Sequence, residues 1–580
     1  MTRWPQFLQA RWNACLKTPF GCLLSLFVGR MFHGGGEPGA EELDLGIGVM
    51  LILLAMPGIL VSLLMFEKYG SLIRFLRGER AFDPFTATIP DEYFFIVLSM
   101  VVTGAAALWR WDSIFLDRRD YLNLVPLPIS VRSIFFANLS AILALAGLFT
   151  IVVNAASLVL FPVAVVGSDG TVARFIRFTA GHTVAVFVAS AFSFFAVFAL
   201  AGLLMALLPA SAFRRISLFA RFAIAIWLLA LLASVFTVPD LLTQVSVAKA
   251  HRIAIWPPVS FLGLARTVWG RGGEPFVASM TKAAGLALGL AVFIAIVAYT
   301  LSFRRSFLRT PETADAGPLP RMAFSLSPLA PLHKAFLRTP SARASYDFVA
   351  RTLLRSDGHL QVVLAFLAIG LVTTAQALLS AFAKRPIAIG HTPSVDLLSV
   401  PFILSYCLIL GIRFAFEIPV DLRANWIFRF WLDPDGHQAR PVARRALLTF
   451  SLSWLAPACF GVTLVYWGWT IAVLHTAILV ACTVLLVEIC LLRFRKIPFT
   501  CSYPAFQSHS GLILVAYLFG FFVFTSYIPE MEAWALLSPL RTLSFVPLFA
   551  IALASLQAYR NQMLDMDKQL IFEEASPSTF

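Results

Sequence analysis

Chemistry in a strongly apolar chain rests on its few polar side chains, and here they form a short set. Glu488 sits in the string TVLLVEICLLRFRK, about one helical turn before Arg493. An acid and a base so placed can neutralise each other at a membrane boundary. Arg413 and Glu417 stand four residues apart, the spacing of an ion pair on one helix face. His475, Asn154 and His182 fall near the ends of apolar runs. A buried hydrogen bond or a place among headgroups accounts for them better than transport chemistry. Ion-coupled transporters need a protonatable carboxylate or a cation site near the middle of a span, and no Asp or Glu stands out there. No catalytic residue is expected. The string QSHSG at Gln507–Gly511 sets His509 between two serines, but neighbours on one loop rarely meet as nucleophile and base. Neither G-x-S-x-G nor H-E-x-x-H occurs. The seven cysteines (Cys15, Cys22, Cys407, Cys459, Cys482, Cys490 and Cys501) make no C-x-x-C pair and lie mostly in or beside apolar runs. They read as small buried hydrophobes, so neither a metal site nor a cofactor is expected.

The elements that must position these groups are membrane spans. Hydrophobic residues make up 59% of the 580 and charged residues only 13%, about half the charge of a soluble domain. About a dozen apolar runs approach the roughly 20 residues that a helix needs to cross a bilayer. The expected fold is all-α and polytopic, since runs of this kind satisfy their backbone in lipid only as helices. The expected spans are 46–66, 92–109, 134–156, 181–208, 219–238 and 283–301, then 360–382, 397–412, 447–467, 471–492, 511–528 and 542–557. The net charge of +14 fits the basic bias of cytoplasmic loops rather than nucleic-acid binding, because no basic helix or aromatic-interleaved groove accompanies it. That bias places both termini in the cytoplasm. Residues 67–91, with Lys68, Arg74, Arg77 and Arg80, would then face outside against the trend. Arg11 and Lys17, and the lack of a small-residue cleavage site, argue against a secretory signal peptide.

Five segments are expected. Residues 1–45 carry Arg3, Arg11 and Lys17 among Trp4, Phe7, Leu8, Trp12 and Leu16, an amphipathic pattern suited to the membrane surface. Residues 46–302 form a first six-span bundle, 303–359 a cytoplasmic Pro-rich linker, 360–557 a second six-span bundle and 558–580 a cytoplasmic tail. The linker contains PETADAGPLP, and FLRTP occurs on both sides of it, at Phe307–Pro311 and Phe336–Pro340.

Within each half, the second and third spans are joined by a substantial segment. The first reads WRWDSIFLDRRDYLNLVPLPISVRS, the second RFAFEIPVDLRANWIFRFWLDPDGHQARPVARR. Asp117–Leu124 has room for about two helical turns before Pro126 and Pro128. Phe115, Tyr121, Leu122 and Leu124 could face lipid or a partner's groove, while Asp117, Arg118, Arg119 and Asp120 face water. Asp421–Trp431, with Arg423, Trp426 and Arg429, has the same character. By chemistry alone each is an interfacial anchor or a docking element.

A six-span bundle with an N-terminal interfacial helix and a short cytoplasmic helix between its second and third spans resembles the type-2 ABC exporter permeases. The stretch DRRDYLNLVPLPISVRSIFFAN, Asp117–Asn138, looks like the loop that they carry there. The stretches GIRFAFEIPVDLRANWIFRFW and RKIPFTCSYPAFQSH resemble segments of bacterial membrane proteins allied to them. The resemblance implies that residues 1–33 form an elbow helix on the membrane surface. It implies that the loop helix docks on an ATPase subunit and transmits its motion, and that the protein lies in a bacterial inner membrane. The chain departs from many such permeases in fusing two bundles. It has no G-x-x-x-x-G-K-[ST] phosphate cradle, so ATP hydrolysis would belong to a separate P-loop subunit. The other expected partner is membrane lipid, and the substrate would be amphiphilic. Two further readings stay open. One is a secondary transporter with six-plus-six architecture; against it, the Gly-x-x-x-Asp-Arg-x-Gly-Arg pattern is absent. The other is a membrane enzyme acting on lipid, which needs a His, Asp, Glu or Ser cluster at one face.

Overall fold

The computed structural model describes residues 18–33, 40–69, 87–111, 124, 126–166, 171–239, 255–309, 340–384, 393–420, 439–492, 494, 496–500 and 510–566. These are mostly helical, with no strand among the described residues. Ten of the described helices are long and apolar enough to cross a membrane, and the chain is an all-helical integral membrane protein. Contacts divide it into two compact units, Met1–Pro320 and Arg321–Phe580.

The first unit runs α1 (Pro19–His33), α2 (Ala40–Tyr69), α3 (Ile89–Trp109), α4 (Val131–Val166), α5 (Val172–Leu207) and α6 (Ala210–Ala233). Next come the short α7 (Pro257–Arg266), a π-turn (Thr267–Arg271) and α8 (Pro275–Arg309). The second runs α9 (Pro340–Arg355), α10 (Asp357–Lys384), α11 (Val395–Ala415), α12 (Ala439–Trp467), α13 (Trp469–Cys490) and α14 (Ser510–Phe522). A π-turn (Val523–Tyr527) then joins α14 to the short α15 (Ile528–Ala535) and α16 (Pro539–Leu543), before α17 (Phe545–Met566). The ten span-length helices are α3, α4, α5, α6, α8, α10, α11, α12, α13 and α17. The expected spans 46–66 and 511–528 fall on α2 and on α14 with its π-turn, outside those ten.

Proline sets several starts, since its fixed φ suits the first turn and its missing N–H costs nothing there. Pro90, Pro257, Pro529 and Pro539 stand in first turns. Gly468, at φ +83°, makes the tight turn from α12 to α13, a backbone state that glycine adopts without penalty.

In each unit the second long helix is the most enclosed. α3 packs against α4, α5, α6 and α7, and α11 against α10, α12, α13 and α15. Both spans are 67% buried. Polar residues on these two helices therefore face protein.

The stretch read as linker, 303–359, holds helix α9, whose Tyr346, Val349 and Leu353 are buried in the second unit's core. Leu124, expected to face lipid or a partner's groove, is 5% exposed and belongs to the first unit's core.

Between helices in lipid, close packing replaces the hydrophobic drive, and small residues permit it. Gly263 on α7 is such a contact. A methyl there would lie 2.4 Å from Met280 Cβ and 3.0 Å from the Thr281 backbone nitrogen of α8. Gly263→Ala should cost about 1–3 kcal/mol through overpacking. Gly285→Ala, with nothing within 4 Å of the added methyl, should cost nothing. Thermal unfolding of the two purified variants in one detergent checks the contrast.

Candidate functional site

The first turn of α3 carries Asp91 and Glu92, both buried. Acids suit a helix N-terminus, where free N–H groups carry partial positive charge. Asp91 receives the Lys68 ammonium at 2.8 Å and the Tyr69 hydroxyl, both from the end of α2. Glu92 points the other way into the bundle.

Glu92 and His182 of α5 are both fully buried. His182 Nδ1 lies 3.1 and 2.9 Å from the two carboxylate oxygens, and its Nε2 lies 3.3 Å from Ser157 Oγ on α4. The Ser157 hydroxyl donates to the Asn154 carbonyl at 3.0 Å. The Asn154 amide donates to Thr150, and its Oδ1 lies 2.5 Å from Ser99 Oγ, back on α3. The polar chain thus returns to the helix from which it began, joining α3, α5 and α4. Phe95 and Phe161 pack edge-on against the imidazole.

Carboxylate to Nδ1 and Nε2 to hydroxyl is the connectivity that activates a serine nucleophile. Here it cannot serve that purpose in the state seen. Ser157 is fully buried and directs its hydrogen to a helix carbonyl. What the geometry does is crosslink three helices where lipid offers no competing hydrogen bonds.

The second unit repeats the motif with one part changed. His475, on the corresponding fourth long helix α13, is buried and pairs through Nδ1 with Glu532 Oε1 at 2.7 Å. Phe402 of α11 meets the ring edge-on at 5.8 Å, as Phe95 of α3 meets His182 at 5.6 Å. The carboxylate now comes from α15 instead of the second long helix. This pair is less complete: among the described residues Glu532 Oε2 has no hydrogen-bond partner, and the Cys459 thiol stands beside the His475 ring.

No family model, curated protein or solved structure matches this chain.

Two further ion networks lie in the second unit. Arg413 pairs with Glu417 as their spacing predicts, and Lys496 joins the same carboxylate. The Arg413 Nε also donates to the Cys490 carbonyl at 3.1 Å, and its guanidinium lies over the Phe494 ring. Glu488 binds Arg440 and Arg444 of α12, each at 2.6 Å, with Arg560 of α17 at 4.0 Å. Its expected neighbour Arg493 lies outside the described residues. The partners found are too distant in sequence for a local spacing rule to reveal.

The candidate docking residues Asp117, Arg118, Arg119, Asp120, Tyr121 and Leu122 lie outside the described residues, as do Asp421, Arg423, Trp426, Arg429 and His509. Their flanks are described. Trp111 and Leu124 are anchored in the first unit's core. Val420 donates its backbone N–H to Phe499, which in turn donates to Phe416. His359 donates from Nε2 to the Ile418 carbonyl at 2.8 Å and is packed edge-on by Phe499. Among the described residues, no group of three or more His, Cys, Asp or Glu is placed to hold a metal ion.

Proposed function

We propose that the chain is the transmembrane subunit of an ABC-type exporter. Two six-span bundles in one polypeptide would move an amphiphilic substrate, with ATP hydrolysed by a separate P-loop subunit. The observation that carries this reading is the repeated plan. Each unit presents a short apolar or amphipathic helix and five span-length helices, with short helices before the last of them. The second long helix is the enclosed one in both, and a histidine on the fourth is met by its phenylalanine. A duplicated bundle of this order fits the permease resemblance of Asp117–Asn138. On this reading α1 is the surface helix: Leu23 and Phe27 pack inward while Phe20 and Leu26 stay exposed.

Under this proposal Asp117–Leu122 and Asp421–Arg429 transmit the ATPase motion. Arg118→Glu with Arg119→Glu should leave the protein in the membrane and reduce stimulation of a co-purified ATPase at least tenfold. Undiminished stimulation would remove the docking role. Absence of any P-loop ATPase after crosslinking in intact membranes and mild-detergent purification would remove the exporter reading itself.

The buried pairs favour one second reading, a proton-coupled transporter, because titratable groups enclosed within a membrane protein are the usual parts of a proton relay. Uptake driven by a pH gradient in sealed vesicles without nucleotide, and lost in Glu532→Gln, would select it.

A further inference from the structure

A cavity of about 770 Å³ runs through the second unit between α11, α13, α14 and α17. That is within the range of ligand pockets, roughly 300–1,000 Å³. Its extent follows from the helices that wall it. On α13 it reaches from Cys482 to Cys490, and on α17 from Phe545 to Tyr559. At 1.5 Å rise per residue these are roughly 12 and 21 Å. Half of the roughly 30 Å hydrocarbon core is one leaflet, the depth that a lipid acyl chain occupies. The walls are almost wholly apolar. Ile489, Phe519 and Leu548 line the cavity and are also exposed on the outer surface, so it opens sideways, where lipid would lie.

One end is different. Arg413 lines it, and with Lys496 it shares the single carboxylate of Glu417. Glu488 sits on α13 between the lining residues Leu486 and Ile489, and binds Arg440 and Arg444. Arg560 follows the lining residue Tyr559 and lies 4.0 Å from Glu488. Among the described residues, the four arginines Arg413, Arg440, Arg444 and Arg560 therefore meet the two carboxylates of Glu417 and Glu488 beside the end of an apolar slot about one leaflet deep.

We infer that this slot binds an anionic phospholipid of the surrounding bilayer. One acyl chain would lie between α13, α14 and α17, and the phosphate-bearing headgroup would sit among Arg413, Arg444 and Arg560. The inference rests on the second unit alone and stands apart from the exporter proposal.

Full-length protein, delipidated in mild detergent, would be titrated with phosphatidylglycerol and with phosphatidylcholine of identical chains, and bound lipid counted by native mass spectrometry. Phosphatidylglycerol should bind at least about fivefold tighter. Basic residues near a membrane surface each contribute about 1 kcal/mol toward anionic lipid, so Arg444→Gln with Arg560→Gln should erase most of that preference. Leu548→Trp, a plug at an exposed wall position, should weaken both lipids at least about fivefold. Equal binding of the two lipids overturns the headgroup assignment. Phosphatidylglycerol binding that Leu548→Trp leaves unchanged overturns the slot. Because the charge pair lies at the end of the slot and the plug at its exposed side, loss of fold in one variant leaves the other to decide. A soluble alkyl phosphate that displaces phosphatidylglycerol only in wild type, and not in Leu548→Trp, would support the same slot through chain and phosphate alone.

Discussion

His182→Leu is expected to destabilise the protein by about 3–5 kcal/mol, the cost of leaving one partner of a buried charged or polar pair alone. The reason is local. Glu92 is fully buried, and His182 is the group that meets both of its carboxylate oxygens. In water the orphaned carboxylate would be solvated; here it is fully buried, beside an imidazole that Phe95 and Phe161 pack. Removing both polar partners tests the same point from the other side. The double variant Glu92→Leu, His182→Leu should recover most of the loss, since an apolar pair of similar volume leaves no unmatched group. Denaturation followed by tryptophan fluorescence in one detergent gives both numbers. A single variant as stable as wild type would show that water reaches Glu92.

Glu417→Leu is expected to do comparable damage in the second unit, again about 3–5 kcal/mol. Glu417 is shared by Arg413 and Lys496, whose side chains are 11% and 6% exposed. Deleting it takes the shared acid from two enclosed cations, and Arg413 keeps the Cys490 carbonyl and the Phe494 ring. Glu417→Gln keeps the shape and loses the charge, so it should fall between wild type and Glu417→Leu. The ordering of the three proteins by unfolding midpoint is the check, and an unchanged Glu417→Leu midpoint would mean that the network adds nothing.

What the sequence revealed and what it concealed follow the range of the interactions involved. Span-length apolar runs are local, and helices such as α11 and α13 end within a few residues of where hydropathy alone places them. The helices α4 and α5 have 36 residues each: α5 starts before its expected span because a polar end with Arg174 and Arg177 still supports helix, and α4 continues past its expected end through the apolar SLVLFPVAVV. The short helices α7, α15 and α16 were hidden by length, and α9 by the polar residues of PSARASYDFVARTLLR. Its signal was the spacing of Tyr346, Val349 and Leu353. The Arg413–Glu417 pair was legible because four residues on one helix decide it. Lys496 was not, being 79 residues from Glu417. His182 and Asn154 stood out as polar residues in apolar surroundings, but Glu92 looked like the mere edge of a span. Its partner lies 90 residues away, and only the packing of α3 against α5 brings them together. The sparse polar set therefore hid two enclosed acids that local reading did not pair.

Phe499 has a bearing on how movement would travel. It holds a left-handed backbone, φ +69°, which costs a non-glycine residue about 1–2 kcal/mol. It is kept there by backbone bonds to Phe416 and Val420 and by the edge of His359. Val420 is the last described residue before 421–438, Phe416 caps α11, His359 lies in the first turn of α10, and 496–500 come shortly after the end of α13. In mechanical terms Phe499 is a rivet through which three helices share one joint. A push on residues 421–438 would not swing α11 alone; it would turn α10, α11 and the end of α13 as a single lever.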